Sequence, residues 1–162
     1  MSGDERAARI ARRQHGVITR QQAAQAGLRE REIAHRLAVG RWVAIRRGVF
    51  VIHGAPSTRE QAVHAACLGT EGAFASHLTA GWLWGLLLPD PVDIHLTTTA
   101  GPRIRREGIV HHRRFAPMAD FTRSRGIPVT TVARTLVDTS GLVRPDRLGR
   151  VVDDALRRKL VV

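Results

Sequence analysis

Four histidines, His77, His95, His111 and His112, lie between residues 57 and 162 of a 162-residue chain and are the first candidates for chemistry. Imidazole nitrogens ligate transition metals, but a ligand set read from sequence rests on spacing. The chain has neither a His-Glu-x-x-His pattern nor a cysteine pair, and strand neighbours such as His111 and His112 point to opposite faces. That spacing predicts no metal site and no cofactor. Asp138, Asp153 and Asp154 have the carboxylates a nuclease needs, yet no Asp…Glu-x-Lys pattern accompanies them, and the sole lysine, Lys159, falls in the final helical stretch. Arg134 and Asp138, at i and i+4, read as a structural ion pair. Ser76 and His77 are adjacent and lack an evident acid partner, so they suggest no triad. Cys67 sits in the apolar run from Ala62 to Leu68 and reads as an inert core thiol that fits a reducing, cytoplasmic setting. The chain is therefore expected not to be an enzyme.

Guanidinium groups offer a different chemistry. Lys and Arg number 26 against 14 Asp and Glu, for a formal net charge of +12. Arginine forks suit phosphate and guanine edges, so the excess fits a nucleic-acid partner, although a solvated basic surface has the same composition. The arginines concentrate where they count. A short segment from Leu28 to Val39 carries Arg29, Arg31, Glu32, His35 and Arg36, and Gly40-Arg41-Trp42 then leads into two apolar runs joined by Arg46-Arg47-Gly48. A plain hairpin does not need two arginines at its tip, so Arg46 and Arg47 read as phosphate or minor-groove contacts, with solubilising charge as the alternative. With Arg20 and Gln21 just upstream, these ten residues are the candidate DNA contacts. The N-terminal end of the Arg-bearing helix, with Arg29, Arg31 and Glu32, is the end that reaches base edges.

The elements that must position them follow from caps and periodicity. A first helix is expected from Asp4 to Gln14, with Ser2 and Glu5 at capping-box spacing, Ala7, Ala8, Ile10 and Ala11 inward, and Arg6, Arg9 and Arg13 as an exposed row. Thr19 and Gln22 form a second capping box for a short helix ended by Gly27. Leu28 and Ile33 are spaced as a hydrophobic staple for the third helix, and Ile33 with Leu37 makes its buried face. Trp42–Ile45 and Val49–Ile52 read as paired strands. Three helices and a basic hairpin are the layout of a winged helix-turn-helix, expected over residues 1–53.

His53-Gly54-Ala55-Pro56 marks the expected boundary. Residues 57–162 read as a small α/β domain: a helix capped by Ser57 and Glu60, a short strand at Ala73–Ala75, and a helix capped by Ser76 that carries Trp82 and Trp84. Strands at Asp93–Thr98 and Gly108–His112 follow, with helices at Val132–Ser140 and Pro145–Lys159. Leu148, Val151, Val152 and Ala155 form the buried stripe of the last helix. The tryptophans read as core or interface aromatics rather than base-stacking platforms. Arg103–Arg106 and Arg113–Arg114 flank the second strand and would form one basic patch if the two strands pair. The fold class is thus mixed α/β (α+β). No run approaches the roughly 18 apolar residues of a membrane span, so no membrane partner is expected.

Taken in order, Gly16-Val17-Ile18-Thr19, Gln22-Ala23, Gly27-Leu28, Ile33, Gly40-Arg41-Trp42 and Arg47-Gly48-Val49-Phe50 resemble the winged-helix head of AbiEi-type antitoxins. Ser76–Ala80, Leu83–Leu86 and Ile127–Asp138 are similar to the body of the same family. The resemblance implies a transcriptional regulator that represses its own operon at operator inverted repeats in double-stranded DNA. It further implies a type IV antitoxin that counters a nucleotidyltransferase-like toxin without needing to bind it. Two features depart from similar sequences. Arg29 stands where Ser or Asp is common and cannot accept the helix N–H bonds. Many similar chains also continue into a very-short-patch-repair-like endonuclease domain, so the alternative expectation is the DNA-targeting part of such a nuclease.

Overall fold

The computed structural model describes residues 2–99, 101, 105–114 and 116–161. They form two compact units, Met1–Glu71 and Gly72–Val162. The first runs α1 (Gly3–Arg12), β1 (Val17–Thr19), α2 (Arg20–Gln25), α3 (Glu30–Ala38), β2 (Trp42–Arg46), β3 (Val49–Ile52) and α4 (Arg59–Leu68). Three helices with a three-stranded antiparallel sheet in the order β1-β3-β2 make this a winged helix-turn-helix.

Local chemistry sets the ends of these helices. Ser2 accepts from the Glu5 N–H at 3.2 Å while the Glu5 carboxylate accepts from the Ser2 N–H at 2.7 Å. Thr19 and Gln22 repeat the reciprocal arrangement at 3.1 and 3.0 Å. Each box satisfies two helix-end donors that would otherwise need water. Between α2 and α3 the chain turns at Gly27 with φ +92°, where an L side chain would be strained. Leu28 and Ile33 are both buried, in one core with Ala7, Ala11, Ile18, Ala23, Trp42 and Phe50. Arg6, expected in an exposed row, is instead half-buried, its Nε donating to the Ala26 carbonyl at 2.7 Å. It ties α1 to the end of α2.

The wing strands pair as the sequence suggests, but with an irregular register. Ala44 faces Phe50 but Arg46 faces Val49, so Ile45 is an extra residue and β2 carries a bulge. β2 is the edge strand of its sheet, and Val43 and Ile45 are exposed on it.

The helix expected to open the second domain belongs to the first unit. Its cap is Thr58, which accepts from the Gln61 N–H at 3.1 Å, rather than Ser57. Val17, Val49 and Val51 bury the other side of the small sheet against Ala65, with Ala55 and Leu68 packed around them. Gln61 completes the join: its amide Nε2 donates to the His15 carbonyl at 2.9 Å. β1 and β3 have apolar residues on both faces, so a helix must cover the second one, and α4 does. The unit boundary therefore falls at Glu71/Gly72, not at residues 53–57.

The second unit holds β4 (Ala73–Ala75), α5 (His77–Trp84), β5 (Ile94–Thr98), β6 (Ile109–Arg113), β7 (Phe121–Ser124), β8 (Ile127–Thr130), α6 (Val132–Thr139) and α7 (Pro145–Arg157). Its five strands follow the order β6-β5-β4-β8-β7, with β4–β8 and β5–β6 parallel and the other pairs antiparallel. Leu86, Leu88, Val132, Val151 and Ala155 form one core cluster, joined by Leu78, Trp84 and Leu136. Trp84 is the core aromatic expected of it, and its Nε1 donates to the Thr130 carbonyl at 2.8 Å. β5 and β6 do pair, but in parallel, so Arg105 and Arg106 precede β6 while Arg113 and Arg114 end or follow it. A five-residue strand separates the two pairs by roughly 16 Å along the backbone. Arg103 and Ile104 lie outside the described residues. No described helix is long and apolar enough to cross a membrane.

Candidate nucleic-acid interface

Helix α3 is pinned by one face and open on the other. Ile33 is fully buried and Leu37 partly so, while Arg31, Ala34, His35 and Ala38 are exposed at i, i+3, i+4 and i+7. They form one stripe along the helix. Its small alanines leave the Arg31 and His35 side chains as the groups that project furthest. Arg31 makes no ion pair among the described residues, so its guanidinium is available. Gln21, exposed on the first turn of α2, keeps its amide equally accessible.

The structure sorts the other candidates differently. Arg36 is buried, and its Nε and Nη2 reach Asp4 Oδ1 at 2.9 and 2.5 Å while Nη1 donates to the Glu32 carbonyl at 2.5 Å. Its guanidinium also lies 5.9 Å from the Trp42 ring centroid. Arg36 is an internal clamp between α3 and α1, its donors turned inward rather than toward the surface where the sequence placed it. Arg36 bonds the Glu32 backbone, and the Glu32 carboxylate serves Arg29.

That carboxylate accepts from the Arg29 backbone N–H at 2.8 Å and from Arg29 Nε at 3.0 Å. The hydrogen bonds to Arg29 hold it below the usual carboxylate range. Half of a capping box survives: Arg29 offers no acceptor to the helix, but Glu32 still reaches back to it. Arg20 pairs with Glu30 and lies 5.4 Å from the Phe50 ring centroid, which fixes a cation between α2 and α3. Arg41 is exposed beyond the C-terminal end of α3, beside Asp4, Trp42 and His53, far along the helix from Arg31.

At the wing, Gly48 takes φ +69° and closes a two-residue turn with Arg47. Arg47 is exposed and makes no ion pair among the described residues. Arg46 is half-buried, its stem lying against Gly69 at the end of α4. The wing thus presents one free guanidinium where the sequence suggested two. The described surface groups Arg31, His35, Gln21 and Arg20 around α3, with Arg47 on the wing and Arg36 withdrawn.

Residues 5–53 match the family described as transcriptional regulator, AbiEi antitoxin. The matched stretch begins in α1 and ends just past β3, so it covers the winged helix. No curated protein matches the chain.

The second unit contains a cluster that sequence spacing did not reveal. His77, His95 and His112 converge, each offering a ring nitrogen, and these atoms lie within 4.8 Å of one another. His95 Nδ1 is 3.1 Å from His112 Nε2, and the His77 and His112 rings stack at 3.5 Å. Burial first, then the nearby His112, His95 and two arginines, hold His77 down to about 3; burial likewise lowers His95. His111 points the other way and bonds Thr98 Oγ1 at 2.9 Å. The opposed faces of His111 and His112 were legible; that His112 would meet two distant histidines depended on strand pairing. Ser76, expected as a cap, makes no cap bond: its Oγ accepts from Thr97 Oγ1 at 2.8 Å and sits 3.0 Å from His77 Nδ1. Arg134 bonds Asp138 Oδ1 at 2.9 Å and Asp120 Oδ2 at 3.2 Å, a structural network as the i, i+4 spacing suggests.

Proposed function

We propose that this chain is a sequence-specific DNA-binding regulator and the antitoxin of a type IV toxin–antitoxin system, repressing its own operon in the cytoplasm. The observation that carries the reading is the exposed Arg31–Ala34–His35 stripe on α3, backed by buried Ile33 and flanked by Arg47 on the wing. A helix so anchored fits the major groove, where arginine donates to guanine O6 and N7 while a wing arginine meets phosphate. The operator is double-stranded DNA with inverted repeats, and the functional partner is a nucleotidyltransferase-like toxin that need not be bound. The family match over residues 5–53 supports the regulator half of this statement.

The test is a gel-shift titration on operator and scrambled duplexes at several salt concentrations. Arg31→Ala is expected to weaken operator binding by about 1–3 kcal/mol while scrambled DNA is scarcely affected. Arg47→Ala is expected to weaken both duplexes alike and to reduce the salt slope by about one phosphate contact. If Arg31→Ala binds both duplexes as the unmodified chain does, α3 is not the reading element.

A further inference from the structure

We propose that His77, His95 and His112 form a binding site for one divalent late transition-metal ion, with zinc as the physiological candidate. The three imidazoles come from three separate elements, so their meeting is a tertiary event. The parallel register of β5 and β6 sets Thr97 opposite His112, and His95 shares the Thr97 face of β5. Helix α5 starts over that face with His77, and its Thr79 Oγ1 accepts from the His95 backbone N–H at 2.9 Å. Strand and helix are thus locked together beside the cluster.

The distances suit a small tetrahedral ion. Zinc–nitrogen bonds of about 2.0–2.1 Å place two ligand atoms roughly 3.4 Å apart along a tetrahedral edge. His95 Nδ1 and His112 Nε2 stand at 3.1 Å, and the whole set lies within 4.8 Å. The stacked His77 and His112 rings keep their in-plane lone pairs in nearly parallel planes, so closure requires one of them to turn about its side-chain torsions. Ser76 Oγ beside His77 Nδ1 can take that nitrogen's proton in a hydrogen bond and leave Nε2 as the donor, the arrangement usual for a ligating imidazole. His77 also holds φ +49°, a left-handed conformation that a non-glycine residue adopts at some cost and that recurs at functional sites.

The donor set selects the metal. Three imidazoles with no carboxylate among them suit zinc, cobalt, nickel or copper and give magnesium or calcium little to hold. Of the arginines near His77, Arg134 already pairs with Asp120 and Asp138, which offsets its charge. His112 is only half-buried, so the fourth position opens toward solvent and takes water or another small ligand.

The experiment uses the untagged full chain, stripped with chelator and then titrated with zinc chloride, and separately with cobalt chloride. One equivalent of zinc per chain by calorimetry and elemental analysis is expected, together with a rise in Tm. Cobalt should give the visible absorption of a tetrahedral nitrogen site, and the imidazole NMR signals of three histidines should move in the unmodified protein. His95→Ala and His112→Ala should each weaken zinc binding by more than the 10–100-fold that loss of an outer-shell group costs, whereas His53→Ala should not. Excess magnesium should not compete. Absence of saturable zinc binding, or one equivalent retained by the His95→Ala/His112→Ala double variant, overturns the site. The cobalt and NMR measurements need no variant, so a misfolded mutant cannot shelter the proposal.

Discussion

Replacing Arg36 and Arg31 in turn should separate folding from reading, because the structure places two arginines of one helix in opposite roles. Arg36 is 8 % exposed and spends its donors on Asp4 Oδ1 and the Glu32 carbonyl, with the Trp42 ring beside its guanidinium. Removing one partner of a fully buried ion pair costs about 3–5 kcal/mol, chiefly because the other charge is stranded. Asp4, however, has a side chain 52 % exposed and can rehydrate. What remains is a charge-assisted hydrogen-bond set, typically about 1.5–3 kcal/mol, and the packing of the arginine stem. Arg36→Ala should therefore destabilise the first unit by about 2–3 kcal/mol. For a unit of 60–100 residues, each kcal/mol shifts Tm by about 4–8 °C, so the drop should be on the order of 10–20 °C. Arg31→Ala, whose guanidinium makes no ion pair among the described residues, should leave Tm nearly unchanged while weakening operator binding. Differential scanning calorimetry and gel shifts below the lower Tm measure both quantities on the same preparations. The reasoning fails if Arg36→Ala melts like the unmodified chain yet loses operator affinity as Arg31→Ala does.

Three further outcomes follow from the described contacts. Residues 72–162 expressed alone should fold and retain toxin rescue without operator binding, whereas a fragment beginning at 57 should aggregate, since α4 would be torn from the Val17–Val49–Val51 face it covers; circular dichroism and a rescue assay decide both. Gly16→Ala should destabilise the first unit by about 1–3 kcal/mol, because φ is +84° and the new Cβ would stand 2.3 Å from that of Ala55; an unchanged urea midpoint would refute it. Asp154 is held below its ordinary 3.8 by hydrogen bonds from Arg158 and Arg157, and Arg158 also bonds the Gly85 carbonyl. A lowered folded-state value stabilises above the ordinary one and is lost as pH falls through the folded one. The stability difference between the unmodified chain and Asp154→Asn should accordingly shrink below about pH 4 in urea titrations.

What was legible in the sequence was local. Capping boxes and the Leu28–Ile33 staple are settled by residues three to five apart; the Ser2–Glu5 and Thr19–Gln22 boxes and the staple stand as read, while the cap read at Ser57 falls one residue later, at Thr58. The α7 stripe was legible for the same reason, Val151 and Ala155 being fully buried. Assigning α4 required knowing that both faces of β1 and β3 need cover. Arg36 looked like its exposed neighbours because its partner, Asp4, lies 32 residues away. The β7–β8 hairpin went unread, since Phe121-Thr122-Arg123-Ser124 lacks alternation strong enough to stand out and Pro128 interrupts its partner. The histidine cluster depends on a parallel register, which neighbouring residues do not encode.

The bulge at Ile45 has a bearing on how the chain survives its own synthesis. An exposed sheet edge with β-branched residues is a template on which a second, newly made chain can add a strand, and Val43 and Ile45 give β2 that character. The extra residue shifts the spacing of donors and acceptors along the free edge, so an incoming extended segment finds them out of step. The wing can therefore carry apolar side chains on its outer strand without seeding fibre-like growth, and restoring an even ladder by deleting Ile45 would expose the chain to it.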